Sequence, residues 1–146
     1  MESLHAACVA LGEAGVLILG PSGAGKSTLA LQLADSAGGA LVADDRVRIA
    51  VREGRLVARP HPGEAGRVEI RGQGLLTADD LGLATRPEAV LALAIDLVAA
   101  APRMPDPPED ALILGISLPR LVLEPGARRA GLAPLLVRAA LRRREA

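Results

Sequence analysis

The stretch that most limits what this chain can become is Val16-Leu17-Ile18-Leu19 running straight into Gly20-Pro21-Ser22-Gly23-Ala24-Gly25-Lys26-Ser27-Thr28. An apolar run, a glycine-rich turn and then Leu29, Ala30, Leu33 and Ala34 at helical spacing predict a strand, a tight loop and a helix, in that order. A strand and helix so joined must bury their apolar faces on each other. That points to a layered α/β domain, with a mixed β-sheet carrying the loop and its helix. The loop fits G-x-x-x-x-G-K-[ST] at every specified position. Its glycines let backbone N–H groups converge on phosphate oxygens with no Cβ in the way. The positive end of the following helix adds to the attraction.

Lys26 is the only lysine; the rest of the 17 basic residues are arginine. A guanidinium is a planar fork too wide for such a nest, whereas an ammonium is a compact point charge. Lysine is therefore kept where the β and γ phosphates of a nucleotide would lie, and the Ser27 hydroxyl is placed for Mg²⁺. With 16 Gly, one Lys and few Ser or Thr in 146 residues, a shuffled chain would contain the pattern roughly once in a couple of thousand trials. Gly20 to Thr28 is read as a nucleotide-phosphate loop, with ATP and Mg²⁺ as its expected ligands.

Around it the chain alternates short apolar runs and turns. Residues 7–11 and 15–19 form a hairpin about Gly12-Glu13, and Gly38-Gly39 stops the loop's helix. ALVADD (40–45) is a buried strand ending in two carboxylates. VRIAVREGRLVAR (47–59) is a second hairpin turning at Glu53-Gly54. In RVEIRGQGLL, Val68 and Ile70 point one way and Glu69 and Arg71 the other. AVLALAIDLV (89–98) is open between strand and helix. Four prolines make PRMPDPPED (102–110) a loop. Two further strands lead to a C-terminal amphipathic helix whose expected buried face is Leu132, Leu135, Leu136, Ala139 and Ala140, with Pro134 in its first turn. One domain, 1–146, is expected.

Composition excludes several functions. Seventeen basic residues balance seventeen acidic ones, and Phe, Trp and Tyr are absent. Neither a nucleic-acid partner nor an anionic membrane is indicated, and no aromatic platform exists for single-stranded bases. Arg128, Arg129, Arg138 and Arg142 to Arg144 crowd the C-terminus, as suits the solvated end of a helix or an acidic partner. Cys8, alone in an apolar setting, is expected to be a core residue in a reducing compartment, and a cytoplasmic location follows. His61, between two prolines, is expected to be a loop residue.

A phosphate cradle needs a carboxylate for the metal and a base for the acceptor. Asp44-Asp45 and Glu69 with Arg71 are candidates. Asp96, after LALAI, is another, in the style of an ordinary Walker B strand. A guanine-reading N-K-x-D motif is impossible without asparagine, which the chain lacks. A small kinase acting on a metabolite through Asp96, and a non-catalytic nucleotide sensor using the C-terminal arginines, remain open on these residues alone.

The order His5, GPSGAGKS, LVADD, EIRGQG and a late arginine-rich helix resembles the C-terminal catalytic domain of HPr kinase/phosphorylase over nearly the whole chain. The resemblance implies an ATP- and Mg²⁺-dependent protein-serine kinase and phosphorylase acting on an HPr-type phosphocarrier of the phosphotransferase system, assembled as a homohexamer. It implies that Asp44 is general base toward the acceptor serine, and general acid in the reverse direction, with Asp45 assisting. Ser27 and Glu69 would hold the metal. His5, in its first strand, would sit near the transferred phosphate, and Arg71 would bind phosphate or substrate. Arg103, in a loop like the family's D-R-L segment, would neutralise developing charge. The chain looks like the family's short form, lacking the N-terminal domain. Thr28 stands where the family has an acidic residue, and Leu81-Gly82-Leu83 where it has a Phe-Gly turn. Gly126-Ala-Arg-Arg replaces the G-R-N segment, so no role carries over to Arg128 or Arg129.

Overall fold

The computed structural model describes residues 1–145. In chain order its strands are β1 (Glu2–Leu4), β2 (Ala7–Leu11), β3 (Ala14–Leu19), β4 (Gly39–Ala43), β5 (Val47–Arg52), β6 (Arg55–Pro60), β7 (Arg67–Ile70) and β8 (Gly74–Thr77). They continue with β9 (Ala89–Leu97), β10 (Ala111–Ile113), β11 (Ile116–Leu118) and β12 (Arg120–Leu123). The helices are α1 (Lys26–Asp35), α2 (Pro125–Arg129) and α3 (Ala133–Glu145).

The main sheet has the order β1-β5-β6-β9-β3-β2-β4, with β12 joined to β9; β7-β8 and β10-β11 are separate hairpins. β9 acts as a fork. Ala89 and Val90 pair antiparallel with β6, whereas Ala94 to Leu97 pair parallel with β12. Its other edge runs parallel to β3, close enough that a Cβ on Gly15 would lie 2.6 Å from the Val90 carbonyl oxygen. The segment whose sequence left strand and helix open is therefore a strand. Leu93 and Ile95 face one core and Leu91 and Ala94 the other. A strand buried on both faces reads as an unbroken apolar run.

The two cores lie on opposite faces of the sheet. Val9, Val16, Ile18 and Ile95 pack with Leu29 and Leu33 of α1 and Val137 of α3. Cys8, Leu17, Val42, Ile49 and Leu56 form the second core. At Glu53 and Gly54, φ values of 54° and 75° give the β5–β6 hairpin its expected turn, with both central residues left-handed.

Three local expectations are corrected. Arg71 does not share the strand face of Glu69, because β7 ends at Ile70 and Gly72 and Gly74, at φ of 85° and 92°, turn the chain at Arg71 to Gln73 into the β7–β8 hairpin. His5 lies in the bend between β1 and β2, not within a strand. The buried face of α3 is Ala133, Val137, Ala140 and Leu141, while Leu132 and Leu135 are 46% and 64% exposed. The rotation is held by Arg138, which donates to Ser36 Oγ and the Ala37 carbonyl, each at 2.7 Å, tying α3 to the end of α1.

Strand direction positions the site. β2 runs antiparallel to both β3 and β4, while β9 and β12 run parallel to β3. The carboxyl ends of β3, β4, β9 and β12 and the start of β2 thus share one edge of the sheet.

Candidate active site

The glycine loop leaves β3 at that edge and closes on α1, with Gly25 at the helix N-cap. Gly23 and Gly25 have φ of 81° and 96°, left-handed values that L side chains rarely hold. A Cβ at Gly23 would meet nothing within 4 Å, so the inner wall is open to a ligand. Lys26 is only 8% exposed. Its ammonium donates to the carbonyls of Gly20 at 2.7 Å and Pro21 at 3.0 Å. The charge is thereby held inside the nest.

Asp44 and Asp45 follow β4 directly. The Ser27 hydroxyl donates to Asp44 Oδ1 at 2.6 Å, bringing the last loop residue and the first carboxylate together across 17 residues. Burial pushes the Asp44 carboxyl above its ordinary value, and the negative charge of Asp45 adds to the rise. The Ser27 hydroxyl and the backbone N–H groups of Glu69 and Asp45 pull the other way without cancelling it. Asp45 is in the left-handed region at φ 66°, which turns its carboxylate out toward His5. His5 Nδ1 lies 3.4 Å from Asp45 Oδ1.

A cavity of about 450 Å³ opens on this group, lined by His5, Ser22, Gly23, Gly25, Lys26, Ser27, Thr28, Asp45, Glu69 and Arg71. A smaller one beside it is lined by Asp44, Asp45, Glu69 and Arg67. Glu69 comes from β7 and Arg71 from the turn after it, so the β7–β8 hairpin forms the wall opposite the loop. Pro21 and Ala24 lie on the loop's other side, facing a second cavity.

Not every expected residue joins this group. Arg103 is exposed in the loop between β9 and β10 and lines none of these cavities. Asp96 pairs with Arg120, Oδ2 to Nε 2.9 Å. Arg128, given no role from the sequence, donates through Nη1 to the Ala24 carbonyl of the loop. Only the Glu124-Pro125 pair foretold its helix: the Glu124 carboxylate caps α2 by accepting from the Ala127 N–H, and Pro125 opens it.

The oxygen donors suit a small hard cation. Ser27 Oγ donates to Asp44, Glu69 lines both adjoining cavities, and no group of three or more His, Cys, Asp or Glu gathers as a metal cage among the described residues. Few protein ligands, with phosphate and water completing the shell, is the habit of Mg²⁺. Among the described residues no helix is long and apolar enough to cross a membrane.

A glycine loop between a central strand and a helix, with carboxylates at the end of a nearby strand, defines a P-loop α/β domain. Comparison with known proteins narrows this. The family model for the HPr serine kinase C-terminal domain matches residues 1–138. HPr kinase/phosphorylase of Chromobacterium violaceum is 38% identical over 149 aligned positions, covering 95% of this chain and 46% of that protein. The Azoarcus protein of the same name is 39% identical, covering 92% of this chain and 45% of its own length. The solved HPr(Ser) kinase/phosphatase of Coxiella burnetii superposes with a TM-score of 0.85 at 31% identity, covering 99% of this chain and 93% of that one. The chain belongs to the HPr serine kinase C-terminal domain family. It spans about half the length of these two relatives.

Proposed function

We propose that this chain carries an ATP- and Mg²⁺-dependent protein-serine kinase activity toward an HPr-type phosphocarrier, with the reverse, phosphorylase direction using the same residues. One contact carries this most directly: the Ser27–Asp44 hydrogen bond, which couples the phosphate loop to a half-buried carboxylate of raised proton affinity.

In this assignment the loop N–H groups and Lys26 bind the triphosphate, and Ser27 with Glu69 holds Mg²⁺. Mg²⁺ neutralises phosphate charge when bound. The acceptor serine gives its proton to Asp44 as its oxygen bonds to the γ-phosphorus; the bond from that phosphorus to the β–γ bridging oxygen breaks, leaving ADP. Desolvation makes Asp44 a better proton acceptor than an exposed aspartate. His5 and Asp45 sit at the mouth of the cavity, on the path of an incoming hydroxyl. Arg71 meets the phosphate or the carrier, and Arg103 supplies charge if its loop folds over the site. The domain works in a homohexamer in the cytoplasm.

The test is transfer itself. Protein, Mg-ATP and an HPr-type carrier are incubated, and the carrier's intact mass is read. A single added phosphate on a serine is expected. No added phosphate, with ATP still bound, refutes the kinase assignment and favours a metabolite kinase or a nucleotide sensor. Asp96→Ala is expected to leave transfer in place, because Arg120 already engages that carboxylate; loss of metal-dependent turnover would favour the metabolite kinase.

A further inference from the structure

The peptide unit between Ala24 and Gly25 crosses the phosphate loop from one side to the other. Ala24 borders the cavity of about 340 Å³ behind the loop, whereas Gly25 lines the one in front, with Lys26 and Ser27. On the rear side the Ala24 carbonyl accepts from Arg128 Nη1. We propose that Arg128 is a positioning residue: by holding that carbonyl, it keeps the Gly25 N–H turned into the nest as a phosphate donor. The inference rests on reading the loop as a phosphate cradle.

Planarity gives the first reason. In a trans peptide the C=O and N–H lie in one plane and point opposite ways, and every peptide bond among the described residues is trans. A carbonyl fixed toward Arg128 therefore directs the Gly25 N–H to the opposite, phosphate side. That N–H has no backbone acceptor among the described residues.

Backbone freedom gives the second. Gly23 and Gly25 flank the unit at φ of 81° and 96°. Glycine crosses between left- and right-handed backbone at little steric cost, so the residues that let the loop form also let this peptide turn over. A turned peptide would present an oxygen to the phosphate. The preceding unit is tied within the loop, the Ala24 N–H donating to the Pro21 carbonyl at 3.1 Å. The Ala24–Gly25 unit is tied from outside it, by Arg128.

Energetics give the third. Arg128 Nε is buried with no acceptor. A half-buried guanidinium with a donor unpaired is a poor stabilising device, so packing alone does not account for an arginine here. The side chain is well anchored all the same. Glu124 caps the α2 helix that carries it, and Leu123, just before, is buried in β12. A Cβ on Gly25 would stand 3.3 Å from Nη1, so the guanidinium rests directly against the loop. Its charge polarises the peptide and strengthens the N–H at the far end as a donor.

The test begins with Arg128→Met, which keeps an unbranched chain and removes the charge and the donors. The freed carbonyl borders the rear cavity, where water can reach it, so the melting temperature should hold or rise. By calorimetry the Kd values for ATP and for inorganic tripolyphosphate should rise together about tenfold, the worth of one charge-assisted hydrogen bond. Arg128→Lys, which keeps a cationic donor, should recover most of the loss. Arg142→Met, removing an equal charge from the exposed end of α3, should leave both Kd values within about twofold. The Gly25 amide proton should move downfield when tripolyphosphate is added to the unaltered protein, and less far in Arg128→Met. An Arg128→Met protein that binds like Arg142→Met overturns the proposal. So does a loss confined to ATP, which makes Arg128 a nucleoside contact. A loss that tracks a lower melting temperature and is not restored by lysine makes the residue structural and overturns it too. An unaltered protein that binds neither ligand overturns the reading of the loop itself.

Discussion

Replacing Asp44 by asparagine separates two things the carboxylate does, and the structure sets the sign of each. The amide oxygen can still accept from Ser27 Oγ, which stands 2.6 Å from Oδ1, so the link between loop and β4 end survives. The proton acceptor is lost. General-base catalysis contributes about 10²–10⁴-fold, or about 2.7–5.4 kcal/mol of barrier, and phosphoryl transfer should fall by that factor. Stability should move the other way. Burial raises the Asp44 carboxyl, so folding penalises its ionised form in the metal-free protein, and stability falls as pH rises from the ordinary carboxylate range through the raised value. Asparagine carries no such charge. At neutral pH the metal-free variant should melt at or above the unaltered protein, with the difference fading as pH falls into the carboxylate range. The assay is intact-mass transfer to the carrier, alongside thermal melts by circular dichroism at several pH values and calorimetry with ATP. A variant that transfers phosphate within a few-fold of the unaltered protein would refute the base assignment. A lower neutral-pH melting point would refute the electrostatic argument.

Other perturbations follow from the same geometry. Lys26→Ala removes the one ammonium in the nest and should abolish ATP binding by calorimetry while circular dichroism stays native. Gly39→Ala places a Cβ 2.2 Å from the Leu33 carbonyl oxygen and 2.7 Å from that of Ala34; a backbone clash of this kind should cost roughly 1–3 kcal/mol, or about 3–10 °C in melting temperature. The Cys8 thiol is pushed by burial from 9.0 up to about 12, so a maleimide at pH 8 should label it only in denaturant. Because the unfolded thiol ionises first, Cys8 should also cause stability to fall as pH rises from 9.0 toward about 12.

The hairpins at Gly12-Glu13 and Glu53-Gly54, the loop, α1 and its stop at Gly38-Gly39 were legible because local chemistry alone demands them. β9 was not, because an apolar run buried on both faces carries no period. The α3 face differs from the one that the i, i+3, i+4 spacing of its leucines predicts, because Ala133 and Val137 are what fit closely against the sheet and α1. In the site, Asp44, Asp45, Glu69 and Arg71 could be named from motif order, and they do converge on the loop. Arg128 escaped because its partner is a backbone carbonyl 104 residues away, and a carbonyl leaves no mark in a sequence.

Lys26 has one more consequence. A free lysine chain surrenders about 1.5–2 kcal/mol of rotamer freedom when fixed in place. Here the Gly20 and Pro21 carbonyls hold the ammonium as part of the fold itself. For this side chain, phosphate binding is a swap of oxygen partners around an already ordered cation. The ordering entropy is drawn from the stability of the domain rather than from the affinity for nucleotide.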